Sequence, residues 1–431
     1  MKRIRAFIHK FLKLRSDPLY MNSIYMMAST AMVSGSGFFF WMIGTHLYPD
    51  SQVGLATTLV SSIGFIMSLS ILGFNYSIIR FLPKSKNKSQ LLSTSVLVIA
   101  LAAALSAAVF LALLPFLTPK LSFILQSPLT MLAFLFFAVA ISIDFATEAI
   151  FLALRQGKYI FLKNIGIVFL KLSLPILFLP FGAFGLFAAW ATAISSALLV
   201  SSFVLLKKFR YTFTPSFKKI NLRQILTFSF ANYIVSLTGI APALVLPLVI
   251  ANTINVESAA YFYIAFMIAN LLYTIPYATT QSLLAEGAYD ESTFLQSVKK
   301  AMKLMSAILL PAILVLLVFG HFILLVFGKS YSTEGVRFLQ LLAVAAIPIA
   351  LNAIGLTILN IQRKMNPLFV INLSGAAAIL VLSFVFREYA LTGIGIAWLI
   401  GHSLKTVLYA GYIFSTVANV QFFKPQFTLR G

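Results

Sequence analysis

The chain has 431 residues, 60% of them hydrophobic and only 10% charged, with a formal net charge of +22 and a mean hydropathy of +0.98. A water-soluble fold of this length could not hide that much apolar surface, so the solvent is lipid. With no cysteine and four scattered histidines, the chain offers no disulfide, no Cys-ligated metal, no thiol nucleophile and no metal-ligand spacing.

In chain order, residues 1–19 come first. In MKRIRAFIHKFLKLR, Ile4, Phe7, Ile8, Phe11 and Leu12 share one helical face against Lys2, Arg3, Arg5, Lys10 and Lys13. This pattern predicts an amphipathic helix on the cytoplasmic leaflet, held by anionic membrane lipids. The plainer reading is a basic tail that only sets topology. Twelve apolar runs follow. Six, over 20–46, 52–79, 91–115, 129–154, 160–180 and 184–206, form a first bundle (20–206). A basic linker spans 207–223. Six more, over 224–252, 258–284, 301–326, 336–360, 367–386 and 393–416, form a second bundle (224–416), and a tail occupies 417–431. No gap between spans exceeds about 20 residues, too short for a soluble catalytic domain of ordinary size.

Charge orients these spans. Of 32 Lys and Arg, 26 lie in the two termini and every second gap, four in the other gaps, and two (Lys171 and Lys405) inside apolar runs. The positive-inside rule then puts both termini in the cytoplasm of a cell membrane. In a soluble protein +22 would point to nucleic acid; here it is a topology signal, and no nucleic-acid partner is expected.

The two halves resemble each other. YPDSQVGLA (48–56) faces INVESAAYF (254–262), and ALRQGKYIFLKN (153–164) faces the ILNIQRKMN region, both at offsets near 206. FGAFGLFAAW (181–190) faces LTGIGIAWLI (391–400) at an offset nearer 210. Six spans is an even number, so the halves share orientation. The expected fold is therefore an all-α polytopic membrane protein with about twelve transmembrane helices in two bundles, related by a pseudo-twofold axis along the membrane normal. Two like bundles around a cleft are a transporter architecture, and a monomer suffices for it.

Charge at bilayer depth costs a few kcal/mol, so intramembrane polar residues are the informative ones. Asp144 and Glu148 are i,i+4 in the fourth span. Lys171 lies in the fifth, about ten residues beyond the shared turn, at a depth similar to that of Asp144. They read as a neutralised helix–helix pair or as cleft contacts for substrate or ion. Lys405, mid-span in the last helix, reads as solvated and cleft-facing, an anchor for phosphate or an acidic sugar. Arg80 and Glu286, 206 apart, are candidates for a cytoplasmic gate. Asn75 and Gln281, also 206 apart, could bond sugar hydroxyls or glue helices. Pro242, Pro247 and Pro276 interrupt the seventh and eighth spans as candidate hinges. Tyr48 and Tyr331 fit an interfacial aromatic belt. Gly35 and Gly37 in SGSGF lack the context of a nucleotide loop, and no phosphate-binding G-x-x-x-x-G-K-[ST] occurs. No cofactor, metal or enzyme constellation is expected.

The segments ILGFNYSIIRFLPK (71–84), LRQGKY (154–159), TTQSLLAEGAYD (279–290) and VFGKSYSTEG (326–335) resemble those of polysaccharide and O-antigen-repeat flippases. These belong to the superfamily that also holds multidrug/toxin-extrusion antiporters and the lipid II flippase. The resemblance spans the chain. It implies export of a polyprenyl-linked oligosaccharide to the outer leaflet by alternating access, beside glycosyltransferases or a polymerase of a surface-polysaccharide (lipopolysaccharide) pathway. Drug antiporters of the superfamily often carry a carboxylate in the first span, and residues 20–46 hold none. A cation-coupled small-molecule antiporter of the same fold is the alternative. A membrane-embedded polymerase or ligase is a second, for which the outside gaps are short.

Overall fold

The computed structural model describes residues 18–215, 222–289, 294–362 and 364–418. The expected amphipathic segment before residue 18, the middle of the 207–223 linker and the tail beyond residue 418 lie outside them. Among the described residues there is no strand, and 12 helices are long and apolar enough to cross a membrane. The chain divides into two compact units, Met1–Tyr233 and Ile234–Gly431. The first holds α1 (Pro18–Leu47), α2 (Asp50–Ser70), α3 (Phe74–Phe81), α4 (Lys88–Leu117), α5 (Pro128–Ala153), α6 (Gly157–Leu177) and α7 (Gly182–Lys207). Helix α8 (Leu222–Thr253) leads into the second, with α9 (Val256–Tyr289), α10 (Phe294–Leu325), α11 (Lys329–Ile361), α12 (Met365–Val385) and α13 (Ala390–Ala418).

Each unit exposes large apolar side chains and takes hydroxyls into a largely apolar core. Large apolar side chains such as Phe116, Leu129 and Leu199 face outward, while Thr57, Ser70, Ser142 and Ser201 are fully buried. A hydroxyl is tolerated there because it donates to a carbonyl one turn back in its own helix. Thr58 reaches Gly54 at 2.7 Å, Ser95 reaches Leu91 at 2.8 Å and Ser142 reaches Ala138 at 2.7 Å. In the first unit α1 packs on α6, and α5 on α4 and α7. In the second, α11 packs on α9, α10 and α13.

The expected second span, 52–79, is two helices. Leu72 (φ 47°) and Gly73 (φ 75°) break it, so Asn75 and Arg80 belong to the short α3 rather than to a long helix. Its counterpart in the second unit, α9, is unbroken. Tyr48 and Tyr331 are buried rather than set in an exposed belt. The Tyr48 hydroxyl donates to the Pro175 carbonyl at 2.6 Å, and burial pushes that phenol up to about 12. Tyr331 packs edge-on against Tyr261. The helices run on through Pro242, Pro247 and Pro276, as others do through Pro115, Pro175, Pro311 and Pro348.

The internal repeat is visible in backbone geometry. Helices α6 and α12 have 21 residues each and begin at 157 and 365, an offset of 208. Each ends in a single 3-10 turn, Leu179–Phe181 or Arg387–Tyr389. Each turn is followed by a residue at positive φ, Gly182 (φ 56°, ψ −137°) or Ala390 (φ 47°, ψ −136°). Three residues on, Gly185 and Gly393 cross the preceding turn so tightly that a Cβ would overlap the carbonyl oxygen of Phe178 or Phe386. The register here is thus 208, not the 210 read from the apolar sequence.

Candidate functional site

In the first unit the polar centre is an ion pair. Asp144 lies within α5, more than two turns from either end, and is 4% exposed. Its partner is Lys163 on α6, whose Nζ lies 2.9 Å from Oδ1 and 2.8 Å from Oδ2. Glu148, one turn along α5, approaches the same ammonium at 3.4 Å through Oε1. The Thr147 hydroxyl donates to the Asp144 carbonyl at 2.7 Å and lies 3.2 Å from Ser201 Oγ, tying the pair to α7. On the next position of α6, Asn164 donates to Ser29 Oγ of α1 at 2.6 Å. At the start of α6, the Gly157 N–H donates to Asn22 Oδ1 at 2.5 Å.

This corrects the expected pairing. Depth alone sets Lys171 level with Asp144, and Lys163 counts among the basic residues RQGKYIFLK (155–163) around the turn between the fourth and fifth spans. Helix α6 begins at Gly157, so Lys163 lies well inside it and is 1% exposed. Lys171 is two turns further along the same buried face, about 12 Å away. It is 5% exposed and has no ion pair or hydrogen bond among the described residues.

The second unit builds its polar centre without charge pairing. Asn352 of α11 donates to the His402 carbonyl at 2.9 Å, and its Oδ1 accepts from the Thr406 hydroxyl at 2.9 Å. The His402 ring packs on Trp398 with centroids 5.0 Å apart, and its buried Nδ1 has no hydrogen-bond partner among the described residues. Asn372 of α12 donates to the Tyr409 hydroxyl at 3.1 Å. Lys405 is 8% exposed rather than solvated, because Gly375 of α12 makes room for its aliphatic stem. Like Lys171, it has no acidic partner among the described residues.

The remaining candidates are less central. Asn75 is partly buried, and its Oδ1 lacks a partner among the described residues. Gln281 is exposed. Arg80 is exposed, with its guanidinium 5.6 Å from the Phe81 ring. The Glu286 side chain lies outside the described residues. Sequence reading missed Lys163 and the Asn352–His402–Thr406 network. The signal for Asn352 was present, since it stands 208 positions after Asp144. No group of three or more His, Cys, Asp or Glu that could hold a metal occurs among the described residues.

Among the described residues, twelve helices long and apolar enough to cross a bilayer, with polar residues buried inside each of the two units, define a multi-pass membrane protein. No family model matches the chain, and no curated protein matches it significantly. Solved structures do. An inward-facing multidrug resistance MATE family transporter of the MOP superfamily superposes with a TM-score of 0.69 at 16% identity, covering 92% of this chain and 96% of that one. The lipid II flippase MurJ, in an inward closed conformation, gives 0.71 at 12% identity over 91% and 87%. A MOP superfamily transporter from Pyrococcus furiosus, whose reverse pocket polarity suggests a different function, gives 0.63 at 16% over 95% and 98%. The chain has the fold of the MOP superfamily transporters.

Proposed function

We propose that the protein carries an anionic lipid-linked oligosaccharide, on a polyprenyl carrier, from the cytoplasmic to the outer leaflet by alternating access, for cell-surface polysaccharide synthesis. The observation that carries this reading is the balance of buried charge. Both acids found in the middle of spans, Asp144 and Glu148, are engaged by Lys163, which leaves Lys171 and Lys405 as buried cations without an acid among the described residues. Unpaired positive charge at bilayer depth is costly, and a phosphate-bearing cargo would offset it. In this reading Lys171 and Lys405 hold the anionic linkage and Asn75 and Gln281 bond sugar hydroxyls. Arg80 and Glu286 gate the cytoplasmic end, and Pro242, Pro247 and Pro276 allow bending. The likeness to the lipid II flippase supports a lipid-linked cargo. Both termini would be cytoplasmic, and a pathway glycosyltransferase or polymerase would supply or consume the cargo.

The likeness to multidrug transporters favours a second reading, cation-coupled exchange of small molecules. One experiment separates the two. Proteoliposomes are loaded with a polyprenyl-pyrophosphate oligosaccharide, and exposure of its sugar to an added glycosidase is followed. A parallel set is tested for cationic-dye transport under sodium and proton gradients. Glycosidase exposure without dye transport supports the flippase. Gradient-driven dye transport with no sugar exposure overturns it.

A further inference from the structure

One end of the first unit carries a groove that the transport reading does not use. It has a volume of about 300 Å³ and lies between three helices. Ile143 and Ile150 line it from α5, Leu198 and Leu205 from α7, and Val96 from α4. The i,i+7 spacing on both α5 and α7 gives it straight apolar walls about 10 Å long, parallel to the spans. It is bordered by the irregular segment after α7, which contributes Tyr211 and Phe213 to the lining. There the Tyr211 hydroxyl lies 2.8 Å from Ser93 Oγ, and the Thr214 N–H donates to the same oxygen at 2.9 Å. Phe213 of this segment also lines the groove and is 59% exposed, so the groove opens outward.

The rim of this groove is cationic. Lys207, Lys208 and Arg210 are exposed and lie in sequence between the lining residues Leu206 and Tyr211. Lys208 Nζ lies 5.2 Å from the Tyr159 ring centroid, and Lys158 Nζ lies 5.3 Å from the same centroid. The Tyr159 ring in turn meets Phe209 edge-on. Two ammonium groups gathered on one ring repel each other, and no carboxylate among the described residues neutralises them. Lys207 ends the sixth span, which puts these charges at headgroup depth, while the groove walls lie within the span.

We infer that this is a binding site for one anionic phospholipid. Its phosphate sits among Lys158, Lys208 and Arg210, and part of one acyl chain lies in the groove beneath Tyr211 and Phe213. A soluble polyanion would use the rim alone; the apolar walls call for a chain as well as a charge. The site is independent of the cargo assignment.

The test is native mass spectrometry of the full-length protein in detergent, with phosphatidylglycerol or phosphatidylcholine added back. Wild type retains one phosphatidylglycerol at least tenfold more tightly than phosphatidylcholine. A variant combining Lys158→Gln, Lys208→Gln and Arg210→Gln loses that tenfold preference. Ser202→Phe, which fills the groove, loses the bound lipid while remaining monodisperse; if it fails to fold, Ser202→Leu replaces it. Four outcomes overturn the site: equal retention of the two lipids by wild type, an unchanged preference in the triple variant, an unchanged lipid in the filled groove, or displacement by glycerol phosphate. Displacement by equimolar undecaprenyl phosphate also overturns it, reassigning the groove to a carrier tail.

Discussion

Asp144 and Asn352 stand 208 positions apart, each buried in the fourth span of its unit, and they satisfy the same requirement by opposite means. Asp144 is matched by Lys163, whose Nζ lies 2.8 Å from Oδ2. Asn352 is neutral and is satisfied by a backbone carbonyl and a hydroxyl of α13. Both anchor the fourth span of a unit, but only the first does so with ions.

The ion pair sets a stability test. Removing one partner leaves a buried charge unpaired, which costs about 3–5 kcal/mol, whereas replacing both with apolar groups is often nearly neutral. Lys163→Met and Asp144→Leu should each sharply lower the thermal midpoint in detergent, and the double variant should recover most of the loss. Single variants that melt like wild type would mean the pair holds nothing together.

Backbone strain gives a second test, with opposite signs at equivalent places. Ala390 holds a positive φ that glycine adopts without a Cβ penalty, so Ala390→Gly should stabilise by about 1 kcal/mol. Gly182→Ala should destabilise by a similar amount. Gly185→Ala and Gly393→Ala should cost more, about 1–3 kcal/mol or above, because the added methyl meets a backbone carbonyl that cannot move aside. Thermal or denaturant unfolding of the four variants checks the order.

Lys171 and Lys405 separate stability from transport. A methionine at either place keeps the volume and removes an unpaired buried charge, so stability should hold or rise. Flipping of a pyrophosphate-linked cargo should fall about tenfold, the equivalent of about 1.4 kcal/mol of lost interaction. Initial rates of glycosidase exposure in proteoliposomes measure it. Full rates in both variants would remove these lysines from the transport path.

Topology is open to direct labelling, because the chain contains no cysteine. Lys86, Lys120 and Glu388 are all exposed. With an impermeant maleimide, Lys86→Cys should react only from the cytoplasmic side, and Lys120→Cys and Glu388→Cys only from the outside. A reversed pattern would invert the orientation drawn from the basic gaps.

The spans were legible because a run of about 20 apolar residues has few other meanings. The break at Leu72–Gly73 was not, since Ile71, Leu72 and Phe74 keep the run apolar through the point where the backbone turns. Asp144 announced itself as an acid in an apolar stretch. Lys163 did not, because a lysine near a span end reads as part of a basic loop. Its burial depends on a carboxylate 19 residues away on another helix. His402 and Asn352 carry no charge, and apart from the 208-residue offset of Asn352 from Asp144 nothing in the sequence distinguishes their network from ordinary helix packing.

The Asp144–Lys163 pair also constrains how the chain is made. Its members lie on consecutive helices joined only by the turn after Ala153 and before Gly157. Entering lipid singly, α5 would bring in a bare carboxylate and α6 a bare ammonium, each at a penalty of about 3 kcal/mol. Entering together, Asp144 and Lys163 compensate each other. Insertion of α5 and α6 as one hairpin is therefore favoured over insertion of either helix alone.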